Sequence, residues 1–511
     1  MKRPNILLFN PDEWRGDVLG HLGNEAAYTP VIDALVGTEA VSFAQTHCQA
    51  TLCTPSRCSF LSGLYPHVFG HRSLYHMLHA ERGQPNLFDQ LRAAGYTVWW
   101  GGKNDVFPAE EGPEAHCDVH FTPDAAFFER HRARPRPSLN ADDARWRSKP
   151  GSDDYYSFMA GILPSDPDEP YYMDGDWQMV LGAIEFIENA PKDKPICIFL
   201  PLLYPHPPYG VEQEFYDLID PEKLPPRRHA SDRQLARKSR MLTEIRRGIG
   251  QAGWDEARWN DLRRVYYGMC ARVDRQFGMV LDALKRAGLY DDTAAFLFSD
   301  HGDFVGDYEM VSKCQTSFED VLTRVPMVVK PHKDWSVRPG VRDRTMCELV
   351  DLCATVQDIA GIEPGYDHFG RSLRPAIADP DHAHRDFVCT EGGRRPDEMH
   401  VSEIQSMNRH ANKVANVYYP MLRVQVEDNE AHARTVMIRT LTHKLIRRMT
   451  GEDELYDLTS DPLELENRID DPALAAIRTE LSDRLLKWLI ETSDIAPRKT
   501  DSRFRAVGTA S

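Results

Sequence analysis

The stretch NILLFNPDEW, residues 5–14, decides the fold class of this 511-residue chain. Its uninterrupted apolar run from Ile6 to Phe9 is typical of a strand buried on both faces, as in a parallel sheet. The run ends at Pro11-Asp12, so charged side chains follow directly on a buried strand. The pattern therefore predicts that residues 5–10 form the first strand.

Further apolar runs repeat this pattern along the chain. They span residues 96–100, 195–200, 293–299 and 325–330, and helical patterns lie between them at 85–94, 178–189, 259–287 and 346–360. Strands that alternate with helices are typical of α/β proteins. The sequence therefore predicts an α/β fold with a mainly parallel central sheet flanked by helices.

After about residue 385 this alternation weakens. Residues 418–427, 434–441 and 444–449 read as strands of an antiparallel sheet, and residues 472–492 read as a helix. We predict two domains: an α/β domain over residues 1–385 and a smaller C-terminal α+β subdomain over residues 386–511. Residues 132–154 read as an excursion loop, and the basic segment 221–240 is expected to cover one edge of the face that carries the active site.

The composition narrows the class of partner. The chain carries 61 Lys and Arg against 78 Asp and Glu, a net charge of −17, which argues against nonspecific binding to nucleic acid. The N-terminal apolar run is too short for a signal peptide. No segment has the roughly 18 apolar residues that a membrane helix needs. We expect a cytoplasmic protein without a nucleic-acid or membrane partner, and a homo-oligomer stays open.

Charged and imidazole side chains follow the predicted strands. These residues are Asp12, Glu13, Lys103, Asp105, His206, Asp300 and His301. Because the carboxyl ends of parallel strands meet at one edge of the sheet, where ligands bind, we expect the side chains to gather there. The carboxylates with one imidazole suit a divalent cation such as Ca²⁺, Mg²⁺ or Mn²⁺. Lys103, His206 and Lys313 would add positive charge and proton transfer.

Each of these residues also has a plain structural interpretation. Asp12 alone could be a turn or helix-cap residue, and SDHGD at 299–303 could be only a polar turn. His206 could simply belong to a proline-rich turn, and the two lysines could lie on the surface. Their joint position after the strands favours a functional site.

The stretch QATLCTPSRCSFLSG, residues 49–63, raises a separate question, because Cys53 and Cys58 lie five residues apart. They could form a disulfide, bind a metal, act as a reactive thiol or pack as small residues. Pro55-Ser56-Arg57 predicts a helix start. Cys53 would then precede the helix N-terminus, where the dipole lowers a thiol pKa or holds an anion. Cys58 would be buried inside the helix, and a reducing compartment argues against a disulfide.

The pentapeptide Cys53-Thr-Pro-Ser-Arg57, followed by LSGLYPH, resembles the sulfatase signature C-x-P-S-R…T-G-x-Y-P-H. The resemblance continues in family order through nearly the whole chain. The matching segments are PNILLFNPDEWRGDVLG, YTPVIDALVGTEAVSFAQTH, GYTVWWGGK, PHPPY, SDHGDFVGDYEMVSK, RVPMVV and KLIRRMTGEDELYDLTSDPLELENRIDDP. The chain is thereby identified as a member of the formylglycine-dependent sulfatase branch of the alkaline phosphatase superfamily, close to the phosphonate monoester hydrolases.

The resemblance implies cofactors and roles. Cys53 matches the cysteine that a formylglycine-generating enzyme, reading the pentapeptide, converts to formylglycine (3-oxoalanine). One divalent metal, Ca²⁺ or Mn²⁺, is implied, with ligands matching Asp12, Asp300, His301 and the converted Cys53. Glu13 stands where relatives have a second Asp or a Gln, so it too is expected to be a ligand. Arg57 matches the arginine that stabilises the hydrated aldehyde. Other family residues bind the sulfuryl oxygens and assist the leaving group. They match Lys103, His206 and Lys313.

One departure from the family pattern concerns the segment Gly102-Lys103-Asn104-Asp105. Many sulfatases read Gly-Lys-Trp-His there, and that histidine helps to release the product. Asp105 stands in its place and could serve as the base. Phosphonate monoester hydrolases, which share the cofactor, also alter this segment.

We therefore expect hydrolysis of sulfate monoesters of small molecules or saccharides, releasing sulfate and an alcohol. The alternatives are a phosphonate monoester or phosphodiester hydrolase with the same site, and a non-catalytic binding protein on this scaffold. Loops 71–79, 132–154, 221–240 and 391–400 are expected to shape the alcohol pocket. Within the last of these, Arg394 and Arg395 could meet a carboxylated or sulfated sugar, or could belong to a solvated turn.

Overall fold

A computed structural model describes residues 3–139, 146–164, 166, 168–251, 253–403, 413–498 and 503. Its strands are β1 (Asn5–Asn10), β2 (Val41–His47), β3 (Thr97–Trp100), β4 (Val119–His120), β5 (Met159–Leu163), β6 (Ile196–Pro201), β7 (Tyr209–Glu212), β8 (Thr293–Phe298), β9 (Met327–Lys330), β10 (Gly340–Glu348), β11 (Val388–Gly392), β12 (Thr435–Arg439), β13 (His443–Arg448) and β14 (Glu454–Asp457). Eight of them form the central sheet, in the order β10-β2-β9-β8-β1-β6-β3-β4. Only β9 runs antiparallel to its neighbours in this sheet. The predicted α/β fold with a mainly parallel sheet is confirmed.

Helices cover both faces of this sheet. Those of seven or more residues in the described ranges are α1 (Pro30–Thr38), α2 (Cys53–Ser62), α3 (Leu87–Ala93), α4 (Gly175–Glu188), α5 (Arg240–Ile249), α6 (Glu256–Arg286), α7 (Val350–Ala360), α8 (Tyr419–Glu427) and α9 (Ala475–Thr492). Shorter helices are Pro66–Phe69, Ala125–Arg130, Gln213–Tyr216, Asp232–Leu235, Asp320–Thr323 and Arg374–Ala378. In the part of the chain that the structure describes, no helix combines the length and apolarity that crossing a bilayer requires.

Strand β1 lies at the centre and divides the core into two layers. Its alternate residues point to opposite faces, as a pleated strand requires. Leu7 and Phe9 belong to one apolar cluster, which also contains side chains of α4 and α6. Ile6 and Leu8 belong to a second cluster, with side chains of α2 and α7. All four side chains are fully buried, which explains the uninterrupted apolar run in the sequence.

Two predicted elements were wrong. Residues 418–427, read as a strand because of the alternation in Met-Leu-Arg-Val-Gln-Val, form the helix α8, which begins with Pro420 in its first turn. Met421 and Val424 of this helix join the large core beside α5 rather than the small sheet. The segment 346–360 is also not one helix, since residues 346–348 belong to β10 and pair with β2.

The C-terminal part contains a second, antiparallel sheet in the order β11-β12-β13-β14. Helix α9 covers it: Leu485 and Trp488 of the helix share an apolar cluster with Leu445 and Leu455 of the strands. The predicted smaller α+β unit is confirmed as an architecture. The boundary between residues 385 and 386 stays a prediction.

A buried ion cluster joins this small sheet to the end of the central one. The Asp320 carboxylate accepts hydrogen bonds from Arg439 of β12, at 3.0 and 2.9 Å, and from Lys444 of β13, at 2.7 Å. Lys444 also pairs with Glu464. Burial alone would raise the pKa of Asp320, but Arg439 and Lys444 outweigh it and hold the pKa well below its usual value.

We expect Asp320→Asn to lower the free energy of unfolding at neutral pH by about 3–5 kcal/mol, because it leaves the buried Arg439 without its carboxylate and Lys444 with Glu464 alone. Urea denaturation measures this loss. The control is Asp153→Asn, which breaks an exposed pair with Arg258 and is expected to cost less than about 1 kcal/mol. A loss at Asp320 no larger than at Asp153 would contradict the assignment.

His432 is a buried histidine outside this cluster. Neither ring nitrogen has a hydrogen-bond partner among the described residues. Burial, with Arg394 and Arg72 nearby, lowers the pKa of His432 to about 3. Between this value and the unfolded-state pKa of about 6.5, the unfolded chain binds a proton that the folded chain cannot take up. His432 therefore makes stability fall as the pH drops below about 6.5.

We expect His432→Phe to weaken this pH dependence. Between pH 7.5 and 5.0 the variant should lose about 2 kcal/mol less stability than the wild type, since about 1.4 kcal/mol is lost per pH unit below 6.5. Urea denaturation at both pH values measures the difference, so a constant packing penalty cancels. His229→Gln, an exposed position, serves as control. Equal pH dependence in wild type and His432→Phe would refute the prediction.

Candidate active site

The structure brings the predicted strand-end side chains together at one edge of the central sheet. The residues in question follow β1 (Asp12, Glu13), β3 (Lys103, Asp105), β6 (His206) and β8 (Asp300, His301). These four strands are neighbours in the order β8-β1-β6-β3 and all run parallel. Their carboxyl ends therefore converge, which is the arrangement that the sequence predicts.

Cys53 lies over this edge within a cluster of possible metal ligands. Its Sγ is 3.2 Å from His301 Nε2 and 3.6 Å from Asp12 Oδ1. With Asp300 these residues offer four ligand atoms within 4.8 Å of one another, and all four residues are buried. His301 Nδ1 lies 2.9 Å from the carbonyl oxygen of Gly302, so Nδ1 carries the proton and Nε2 faces the cluster.

Arg57 holds the two carboxylates of this cluster in place. It follows Cys53 by four residues on α2, so both side chains lie on the same face of the helix. Its guanidinium donates to Asp12 Oδ2 and to Asp300 Oδ2, each at 2.9 Å, and is fully buried. The second oxygen of Asp300 accepts from the backbone N–H groups of Glu13 and His301. The predicted role of Arg57 toward a hydrated aldehyde stays a prediction.

Lys103 is a fixed cation beside Cys53. Its Nζ lies 2.7 Å from Asp12 Oδ2, 2.8 Å from Asp105 Oδ2 and 3.7 Å from Cys53 Sγ. Burial alone would lower the pKa of Lys103, but Asp105 and Asp12 raise it well above the usual value. Lys103 therefore carries its charge at neutral pH, and Asp105 lies next to it.

The carboxylate of Glu13, expected to be a metal ligand, does not belong to the four-donor cluster. Its carboxylate lies 2.8 Å from Lys313 Nζ, 2.9 Å from Ser312 Oγ and 3.4 Å from His206 Nε2. It forms a second group of possible ligands with Asp12 and His206. Burial raises the pKa of Glu13 to about 8, although Lys313 opposes the rise. The sequence did not anticipate this pairing with Lys313 and His206.

The backbone at Glu13 is strained, with a φ of +66°. Such an angle is uncommon for a residue other than glycine and needs support from its surroundings. The N–H of Glu13 donates to Asp300, and its carbonyl accepts from the Tyr266 hydroxyl at 2.8 Å. These contacts explain how a bulky residue directly after Asp12 turns toward Lys313.

His206 faces the same space with a neutral imidazole. Its Nδ1 contacts the carbonyl oxygen of Pro207, and its Nε2 faces the carboxylate of Glu13. Burial and the positive charges of Lys313 and Lys103 lower the pKa of His206 well below its usual value. The imidazole can therefore accept a proton or polarise a ligand, and a bound anion would offset the two lysines.

The thiol of Cys53 differs from the expectation in two respects. Cys53 is the first residue of α2, with Leu52 as its N-cap, rather than the residue before the helix. The expected lowering of its pKa was wrong, because burial and the adjacent Asp12 raise the pKa of Cys53 well above its usual value. The encoded thiol is thus a poor nucleophile. Cys58 is buried inside α2, as predicted, and all ten cysteines are free.

A cavity of about 320 Å³ opens in front of Cys53. Its lining residues are Leu52, Cys53, Leu74, Tyr75, Lys103, Asp105, His206, Lys313, Gln315, Glu403, Asn416, Tyr418, Met421 and Leu422. Of the loops expected to shape it, 71–79 contributes Leu74 and Tyr75. No described residue of 132–154, 221–240 or 391–400 lines it. The sequence missed the contribution of α8, because that helix read as a strand of the small sheet.

Arg394 and Arg395 do not face this cavity. Arg394 is buried and donates to the backbone carbonyl of Gln425 at 3.0 Å. Arg395 is exposed and pairs with Asp397 and Glu398. Neither arginine lines the cavity, and the exposed ion pairs of Arg395 agree with the alternative of a solvated turn.

The donor set fits a divalent metal. Lys103 and Arg57 occupy the Oδ2 atom of Asp12, which leaves its Oδ1 facing Cys53 and His301. Two carboxylates with one imidazole suit a hard or borderline cation. Asp12, Asp300 and His301, with the side chain at position 53, would hold such an ion.

Two protein-family models match this chain. A family model described as "Sulfatase" matches residues 4–362. A second model, described as "N-sulphoglucosamine sulphohydrolase, C-terminal", matches residues 376–491. Together they cover most of the chain.

Similar proteins match over most of their length. The multifunctional alkaline phosphatase superfamily protein PehA of Trinickia caryophylli is 25% identical, over 97% of this chain and 96% of its own. Human arylsulfatase K is 24% identical, over 91% of this chain and 79% of its own. The crystal structure of a phosphonate monoester hydrolase from Agrobacterium radiobacter superposes with a TM-score of 0.74 at 23% identity, covering 98% of this chain and 99% of that one.

Proposed function

Since this chain belongs to the sulfatase family, whose members hydrolyse sulfuric esters, we propose that it cleaves sulfate monoesters with a formylglycine made from Cys53 and one divalent metal ion. The observation that carries this proposal is the position of Cys53, 3.2 Å from His301 Nε2 and 3.6 Å from Asp12 Oδ1. The high pKa of the buried thiol also favours an oxygen nucleophile at this position.

When present, hydrated formylglycine supplies the attacking oxygen, and the metal supplies positive charge beside it. The chain's own residues neutralise charge and transfer protons. Lys103, fixed by Asp12 and Asp105, and Lys313, fixed by Glu13, carry positive charge into the cavity beside position 53. These charges neutralise the sulfuryl oxygens of the ester, and they need no reorganisation during the reaction.

Protons at the leaving oxygen are handled by His206 and Lys313. Both side chains line the cavity, and Glu13 lies between them at 3.4 and 2.8 Å. The negative charge of a bound sulfate ester favours protonation of His206, which lies beside two lysines in the free enzyme. His206 or Lys313 then gives its proton to the departing alcohol.

We propose that Asp105 replaces the family histidine as the base and accepts the proton whose loss allows sulfate to be released. It lines the cavity and contacts Lys103. We expect Asp105→Asn to lower kcat by about 10²-fold with little change in KM, because Asp12 still fixes Lys103. Steady-state kinetics with an aryl sulfate measure this. Asp105→His, which introduces the family residue, should retain more activity, and a kcat of Asp105→Asn within threefold of wild type would contradict the role.

A second candidate is hydrolysis of phosphonate monoesters or phosphodiesters with the same groups. It is favoured by the altered segment at Asp105 and by the overall likeness to PehA, whose name calls it multifunctional. Sulfate and phosphonate esters share a tetrahedral anionic centre, so the same lysines and metal serve both.

Two measurements test the proposed function. Mass spectrometry of the peptide containing Cys53, from protein made with a formylglycine-generating enzyme, should show the mass of the aldehyde rather than that of the thiol. The same protein should release sulfate from an aryl sulfate in a metal-dependent reaction. A preference for an aryl phosphonate by orders of magnitude would select the second candidate. A persistent thiol that binds no metal would select a non-catalytic binding protein.

A further inference from the structure

A second group of possible metal ligands lies outside the candidate active site. The side chains of His79, Glu81 and Glu111 offer ligand atoms that lie within 4.8 Å of one another. None of these three residues lines the cavity in front of Cys53, so the proposed reaction does not use them. Glu81 is exposed, which leaves a path by which an ion can enter from solvent.

His116 extends this group with a buried imidazole. Its side chain is 3% exposed, and its Nε2 lies 3.4 Å from Glu111 Oε2, longer than a good hydrogen bond. Its Nδ1 lies 3.0 Å from both carboxylate oxygens of Asp89, so Nδ1 carries the proton and Nε2 keeps a lone pair. Metal-binding histidines are usually supported by a carboxylate in this way. The four residues His79, Glu81, Glu111 and His116 are called the loop cluster below.

Glu111 is the central carboxylate of the loop cluster. Its Oε1 is buried, has no hydrogen-bond partner among the described residues and lies 3.8 Å from His79 Nδ1. Its Oε2 accepts from the backbone N–H of Ala80 at 3.1 Å. A buried carboxylate oxygen without a hydrogen bond is costly, and a bound ion is one explanation for it. An ion between Glu111 and the two imidazoles would satisfy this oxygen.

The separations within the loop cluster suit a small, four-coordinate cation. Zinc binds imidazole nitrogen and carboxylate oxygen at about 2.0–2.2 Å, so its tetrahedral ligands lie about 3.3–3.5 Å apart. The distance between His116 and Glu111 is 3.4 Å, and that between His79 and Glu111 is 3.8 Å. Two imidazoles with two carboxylates favour a borderline cation such as Zn²⁺ over the harder Ca²⁺.

We propose that the loop cluster binds a structural Zn²⁺ ion, with Asp89 fixing the imidazole of His116. Four protein ligands are typical of structural zinc sites, whereas catalytic zinc sites keep one position open for water. The ion is bound in addition to the metal of the proposed active site, and the inference does not depend on the proposed reaction.

The zinc ion links two segments that already meet, residues 71–82 and residues 103–116. The N–H of Leu78 in the first segment donates to the carbonyl of Val106 in the second at 2.8 Å. Each segment also contributes residues to the lining of the cavity in front of position 53. The ion therefore holds together two segments of the cavity lining and takes no part in the reaction itself.

Calorimetric titration of Zn²⁺ into the full-length protein, without a histidine tag and stripped of metal by a chelator, tests this site. The background is Asp300→Asn, which removes a ligand of the four-donor cluster. This protein should bind one equivalent of Zn²⁺ with a submicromolar dissociation constant. Adding Glu111→Gln or His116→Gln should weaken binding by at least about 100-fold. In the wild-type background the same substitutions should remove one bound equivalent.

Two further variants separate a metal site from a general loss of structure. Asp89→Asn leaves the ligands in place but weakens the support of His116, and should weaken Zn²⁺ binding by about 10–100-fold. The matched control is His120→Gln, which breaks a similar pair with Glu114 outside the loop cluster and should leave binding unchanged. Circular dichroism checks that each variant is folded. If Glu111→Gln and His116→Gln do not fold, the result for Asp89→Asn decides.

Two spectroscopic measurements complete the test. Co²⁺ in place of Zn²⁺ should give the visible absorption of a tetrahedral site in wild type and not in Glu111→Gln. Zn²⁺ should slow backbone hydrogen exchange in residues 71–82 of the wild type and not of Glu111→Gln. Absence of Zn²⁺ binding, or binding that the loop-cluster variants leave unchanged, would overturn the inference. Unchanged hydrogen exchange on Zn²⁺ binding would refute the link between the two segments.

Discussion

Cys53→Ser is expected to lower steady-state sulfate release by about four orders of magnitude or more, as removal of a catalytic nucleophile does elsewhere. The serine hydroxyl supplies one oxygen where a hydrated aldehyde supplies two. It can receive a sulfuryl group, with its proton passing to the departing alcohol, but it has no second hydroxyl with which to expel sulfate. We therefore expect at most one equivalent of alcohol per enzyme molecule, without free sulfate.

Rapid-quench measurement of alcohol, ion chromatography of sulfate and mass spectrometry of the labelled peptide check this result. The matched control is Cys58→Ser, because Cys58 is buried in the same helix but does not belong to the four-donor cluster. It should retain formylglycine and most of the activity. Multiple turnovers with sulfate release by Cys53→Ser would exclude a formylglycine mechanism.

Asp300→Asn is expected to remove the metal and to lower kcat/KM by about three orders of magnitude, since a catalytic metal contributes several kcal/mol to transition-state stabilisation. The amide keeps the shape of the side chain but loses its charge, so both a ligand and the partner of Arg57 Nε are weakened. Added Ca²⁺ or Mn²⁺ should restore part of the activity at concentrations where the wild type is saturated.

Metal content after dialysis, measured by inductively coupled plasma mass spectrometry, provides a readout independent of activity. Asp303→Asn is the matched control, because Asp303 is equally buried but accepts hydrogen bonds from Tyr209. It should retain one equivalent of metal. Full metal content in Asp300→Asn would show that the ion, if bound, lies elsewhere.

The central sheet could be predicted because its buried strands appear in the sequence as continuous apolar runs. Buried strands with cores on both faces have apolar interiors, and β1, β6 and β8 are fully buried and carry polar side chains only at their ends. The polar residues that follow such strands are conspicuous, which is why Asp12 and Asp300 could be placed at one edge. Parallel pairing then brought them together without further information.

Other parts depended on contacts that a single sequence does not contain. The alternation around Val424 fits a strand, and only packing against α5 and the large core makes it helical. The orientation of Glu13 depends on a positive φ and on Lys313, which lies 300 residues away. The pKa of Cys53 follows from complete burial beside Asp12, which outweighs the helix dipole. Tertiary packing decided each of these features.

The burial of α2 has a consequence for how the enzyme is made. Every residue from Cys53 to Ser62 is buried, including the whole Cys-Thr-Pro-Ser-Arg pentapeptide. Another protein can therefore reach this peptide only while it is still extended, during synthesis or before the sheet closes over it. If the proposed formylglycine is made by such a protein, a folded molecule that still carries the thiol has missed that interval, and the activity of a preparation would then depend on whether oxidation preceded folding.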